Sequence, residues 1–150
     1  MTQVFAALDK LADLARVEPA FEGVLVLDGP TTGDDATTEA IAFGVPPLGE
    51  APAPAGRVGR TGPNGLQDAP FESTTATGAI SVMAGESGIR AARARAGELL
   101  VALMAMVQRD VTLGGVVQQA RIGNWSWWPL KSRLGDEVLV QFDILFRSQL

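Results

Sequence analysis

The residue types that could carry chemistry in this chain are few, and they cluster. All three tryptophans, Trp125, Trp127 and Trp128, fall within the stretch NWSWW. Alternation along a strand puts Trp125 and Trp127 on one face and Trp128 on the other. An indole is a large apolar plate with one N–H donor, so such a cluster either fills a core or docks against another protein. Both readings stand on the sequence alone. Asp28, Asp34 and Asp35 could supply oxygen ligands to a hard cation. Their spacing does not follow a calcium-binding helix–loop–helix, and Asp beside Gly and Pro is ordinary turn chemistry.

Arginines form the second group. Arg57 and Arg60 lie in GRVGRTGPNG, which has the glycines of a phosphate loop but lacks its GK[ST] ending. They are candidates for contact with an acidic neighbour or a nucleic-acid backbone. Arg90 and Arg93 stand three apart at the start of a helix, where the helix dipole disfavours cations. A carboxylate on a neighbouring subunit would offset this, and a solvated helix face would also account for it. These four arginines and the three tryptophans are the candidate protein-interface residues. With no histidine and no cysteine, the chain has no zinc site of the usual kind, no thiol chemistry and no histidine-based catalysis. Ser73, Ser81, Ser87 and Ser126 have no histidine to activate them, and none sits in a GxSxG elbow. No catalytic residue, metal or cofactor is expected, and the chain reads as a non-enzyme.

These residues need a scaffold, and the periodicities supply one. Residues 2–17, TQVFAALDKLADLARV, place Val4, Phe5, Leu8, Leu11 and Ala15 at helical spacing, with Thr2 as a cap and Pro19 beyond the end. Val24–Leu27 reads as a strand covered on both faces, and 38–45 as a second. Residues 71–85, FESTTATGAISVMAG, read as a long strand bent at Gly78. From Ser87, a plausible N-cap, a long helix follows whose apolar face is Ile89, Ala92, Ala96, Leu99, Leu100, Leu103, Met106 and Val107. Leu113-Gly114-Gly115 ends it. Residues 116–128 then read as a strand and PLKSRLGD as a turn. In the last strand Val138, Val140, Phe142, Ile144 and Phe146 alternate with Glu137, Leu139, Gln141, Asp143 and Leu145. The expected fold is α+β, one domain spanning 1–150. It has a largely antiparallel sheet, an N-terminal and a long central helix on one face, and a C-terminal β-hairpin. Residues 45–70, rich in Pro and Gly, read as a long projecting or flexible loop.

The charge of −5 is uneven: residues 1–50 carry nine acids and two bases, the remainder eight acids and ten bases. Tight nucleic-acid binding needs a basic footprint that this balance does not give. An assembly in which one face meets the opposite charge of a neighbour fits it. No segment reaches the roughly 18 apolar residues of a membrane span, and the first residues lack the basic n-region of a signal peptide.

The carboxy-terminal third, RDVTLGGVVQQARIGNWSWWPLKSRLGDEVLVQFDILFRSQL, resembles the tail terminator proteins of long-tailed bacteriophages. There a helix is followed by an xDxTLGGxVxxAxI segment and a hairpin whose last strand alternates. The beginning is also similar, an amphipathic helix followed by PAFEGVLVLDGP. The long Pro/Gly segment and the WSWW cluster depart from the family pattern.

The resemblance implies a small α+β virion subunit that forms a homo-oligomeric, six-fold ring. The ring caps the tail tube protein, ends tube polymerisation and offers a surface to the head-tail connector or stopper protein. DNA passes through the lumen without specific binding, and no membrane is involved. It places the protein in the tail or neck of the virion, and in host cytoplasm during assembly. Acidic residues facing the lumen would repel DNA and let it slide. A head–tail stopper or other neck protein is the nearest alternative. From other classes come a metal-dependent carboxylate enzyme using Asp28, Asp34 and Asp35, and a peptide-binding adaptor using the tryptophans.

Overall fold

A computed structural model describes residues 2–30, 39–47, 53–61, 71–85, 87–132 and 135–149. Helix α1 spans Val4–Val17 and is followed by a 3-10 turn at Pro19–Phe21. Strands β1 (Leu25–Leu27), β2 (Glu39–Phe43), β3 (Gly56–Thr61) and β4 (Phe71–Gly85) precede helix α2 (Gly88–Arg109). Strands β5 (Gln119–Ser132) and β6 (Gly135–Gln149) close the chain as a hairpin. The sheet runs β1-β2-β4-β6-β5, with β3 also paired to β4. Among the described strands β1 with β2 is parallel and the other pairs are antiparallel. The class is α+β, as the periodicities imply.

Alternation decides which side is core. Ile80 and Val82 of β4 oppose Val140 and Val138 of β6, and all four are buried with Ile41 and Phe43 of β2. Ala7, Leu11 and Ala15 of α1 and Ala96, Leu99 and Leu103 of α2 cover this face in one cluster. Alanines at these turns keep the helix backbones close to the sheet. Two ion pairs pin the helices to strands: Arg95 of α2 grips Glu39 of β2 through two bonds, 2.6 and 3.1 Å. Arg16 of α1 donates to Asp28 at 2.9 Å and to the Val26 carbonyl at 3.3 Å.

Several expectations are corrected. Residues 56–61, read as part of a long loop, form β3; the rest of 45–70 is described only at 45–47 and 53–55. Strand β3 lies end to end with β2 along the same edge of β4. Its sequence, GRVGRT, carries one bulky apolar side chain, so its pairing to β4, rather than its own composition, makes it a strand. At the junction, Thr77 accepts from the amides of both Gly44 and Val45 and donates to the Ala55 carbonyl, each at 2.9 Å. Val26 is buried in β1, and Leu25 and Leu27 on its other face are half-buried, so that strand is fully covered on one face and partly on the other. Phe5, expected in the apolar face of α1, is 71% exposed. The buried stripe runs Val4, Ala7, Leu11, Ala15, and Phe5 lies off it.

The caps also differ. Gln3 is the α1 N-cap, with no side-chain cap bond, while Thr2 Oγ1 accepts weakly from the Val4 amide at 3.3 Å. Ser87 stands at the α2 N-cap and makes no capping bond. Pro129, Leu130 and Lys131, expected in a turn, extend β5.

Candidate functional site

The DVTLGG segment is built as one hydrogen-bonded unit. The Asp110 carboxylate accepts from the Thr112 hydroxyl at 2.7 Å, the Gly114 amide at 2.8 Å and the Thr112 amide at 3.1 Å. The Gly115 amide donates to Thr112 Oγ1 at 3.1 Å. These bonds, that from Thr112 foremost, hold the Asp110 carboxyl below its ordinary range. Leu113, Gly114 and Gly115 all have positive φ: 51°, 70° and 88°. Two glycines accept this readily, whereas Leu113 does so against its intrinsic preference. Its side chain is wholly buried, and that burial holds it there. The turn redirects the chain from α2 into β5 and so sets the position of the tryptophans.

On β5, an irregularity between Ile122 and Trp125 resets the register, after which Trp125 opposes Phe142 and Trp127 opposes Val140. Both indoles therefore lie on the helix side. They sit at the sheet's free edge and are 49% and 45% exposed. Trp128 opposes Leu139 and points to the other face, half-buried. Arg93 of α2 lies over the Trp127 ring at 6.0 Å, within range of a cation–π contact. Arg93, Gly97, Leu100, Trp125, Trp127 and Val140 line a notch of about 160 Å³. Arg90 is exposed in the first turn of α2. Among the described residues neither Arg90 nor Arg93 has a carboxylate partner.

The other predicted arginines stand on β3, at the opposite margin of the sheet. Arg57 and Arg60 alternate along β3; Arg57 pairs in register with Thr75 on the face away from the helices. Arg60 donates to the buried Glu72 at 3.1 Å. The structure thus brings Arg93 together with Trp125 and Trp127, and places Arg57 and Arg60 across the sheet from them. Asp28 is engaged by Arg16, and Asp34 and Asp35 lie outside the described residues. Among the described residues no three acidic side chains gather as a metal site, and no helix is long and apolar enough to cross a membrane.

Sequence reasoning missed a second surface beside β3. Phe5, Leu8, Val58, Arg60, Glu72 and Thr74 line a groove of about 580 Å³ between α1 and β3. Its floor holds two buried polar residues, Glu72 and Thr74. Glu72 accepts from the Thr2 hydroxyl at 2.6 Å as well as from Arg60. These bonds, the Thr2 bond first, hold its carboxyl below the ordinary range against the opposing effect of burial. Thr74 Oγ1 is buried and has no hydrogen-bond partner among the described residues. The only available signal for this groove was Glu72 at an inward-facing position of a strand, which requires a partner.

No protein-family model matches the chain, and no curated protein matches its sequence.

Proposed function

We propose that this protein is a tail terminator of a long-tailed phage, a ring subunit that caps the tail tube, ends its polymerisation and presents a surface for head attachment. The observation that carries the reading is the Asp110–Gly115 turn. It lies in the stretch where the resemblance is densest, and each matching residue has physical work there. Asp110 and Thr112 bond the loop, Leu113 anchors it, and the two glycines take left-handed backbone. The α+β fold, with two helices on one face of a mostly antiparallel sheet, agrees with the subunit that the resemblance implies. The exposed Trp125 and Trp127 at one sheet edge, with Arg93 of α2 over Trp127, offer a surface for subunit contact.

Disrupting the gene in its phage and imaging the particles tests this. Overlong, headless tails are expected, because an uncapped tube keeps growing. Free tails of normal length beside filled heads would reassign the protein to a joining step after length is set. Particles unchanged in form and infectivity would remove the reading.

A further inference from the structure

The tryptophan edge and the α1–β3 groove lie on opposite margins of one sheet. Strands β4 and β6 separate β5 from β3, a distance of three strand spacings or about 14 Å. A copy's own indoles therefore do not serve its own groove. We propose that the β5 tryptophan edge of one copy seats in the α1–β3 groove of a second copy. The inference rests on the ring reading above and names the surfaces through which neighbouring subunits meet.

Three features match the two surfaces. In shape and polarity, the groove is apolar along Phe5, Leu8 and Val58, and the Thr74 hydroxyl in its floor has no partner among the described residues. An indole is an apolar plate whose Nε1–H is a donor and nothing else, so one side chain can enter the groove, cover part of its apolar lining and aim its donor at the floor that holds Thr74. In charge, Phe5 and Asp9 are neighbours four residues apart on α1 and are both exposed, while Trp127 carries Arg93 beside it. Neither Asp9 nor Arg93 has an ion-pair partner among the described residues. Docking sets an aromatic–carboxylate pair against an aromatic–guanidinium pair. In symmetry, two different surfaces on opposite margins make a head-to-tail contact, which generates a ring when the rotation closes.

Sedimentation velocity on the full-length protein and two variants, Phe5→Asp and Trp127→Ser, tests the contact. Both positions are exposed, and far-UV circular dichroism checks that each variant is folded. The wild type is expected to sediment as an oligomer, and each variant alone as a monomer. An equimolar mixture is expected to give a dimer and nothing larger. The Phe5→Asp copy keeps its tryptophan edge and the Trp127→Ser copy keeps its groove, so one intact contact forms. Upon dimer formation, Trp emission from the Phe5→Asp copy moves to the blue and resists acrylamide.

A monomeric wild type, a folded variant that assembles like the wild type, or a mixture that stays monomeric would each overturn this contact. A tryptophan-to-tryptophan contact between two copies would show itself as Phe5→Asp assembling normally. None of these results alters the particle phenotype, so the terminator reading stands or falls separately on the images.

Discussion

A β-carbon built on Gly78 would lie 2.4 Å from Cζ of Phe142 and 3.0 Å from the Ala42 carbonyl. Phe142 packs edge-on to Phe43 with ring centroids 6.5 Å apart, and both rings are buried. Strand β4 thus leaves out a side chain where an aromatic of the neighbouring strand crosses over it. Gly78→Ala is expected to push Phe142 off its position at a cost of about 1–3 kcal/mol. At this chain length that lowers the thermal midpoint by roughly 2–4 °C per kcal/mol. An unchanged midpoint in calorimetry would show that the ring relocates freely.

Glu72 links stability to pH. Its folded carboxyl is held below the ordinary range by Thr2 and Arg60. Its contribution is therefore complete above the unfolded value, about 4.3, and is lost as pH falls through the lower folded value. The stability gap between wild type and Glu72→Gln should shrink as pH falls from about 6 towards 3. Urea midpoints along that series measure it; a gap that widens in acid would contradict the sign.

The turn after α2 depends on both its anchor and its bonds. Leu113 is fully buried, so Leu113→Ala is expected to cost about 2–5 kcal/mol in chemical denaturation. Asp110→Ala leaves the Gly114 amide without its acceptor. Amide hydrogen exchange should quicken at Gly114 and Thr112 while Val140 and Phe142 in β6 stay protected. Equal loosening in β6 would mean that the turn and the sheet open together.

Arg93→Ala is expected to change stability by no more than about 1 kcal/mol, since a half-exposed cation–π contact contributes about that much. The same change should alter Trp127 emission. Trp127→Phe should suppress that response and Trp128→Phe should preserve it, because Trp128 points to the opposite face. A response that survives Trp127→Phe would place the guanidinium elsewhere.

The elements with strong periodicity were legible from the residues. FESTTATGAISVMAG forms β4 along its whole length, and the alternation from Val138 to Phe146 fixes the buried face of β6. The opposite placement of Trp125 and Trp127 relative to Trp128 followed from period two alone. Strand β3 was not legible, because small and charged residues become a strand there only through a partner 10 to 20 positions away in register. Phe5 was misplaced because helical spacing tolerates a residue at the margin of the stripe, and only packing decides which margin is covered. The groove escaped notice because it joins α1 to β3 and β4 across distances that no local pattern spans. Arg60 was singled out for an external partner, whereas its carboxylate is the chain's own Glu72.

One residue, Thr77, receives the chain on its carbonyl as it leaves β2 and holds it through its amide as it returns to β3. Departure and return are therefore fixed at a single point on β4, and the register on either side does not depend on what is threaded between them. Such a junction works like a cloning site in the fold. Residues can be added between Val45 and Ala55 while β2 and β3 keep their partners, so an epitope or a fluorescent tag can be grafted there to mark the protein without disturbing the sheet.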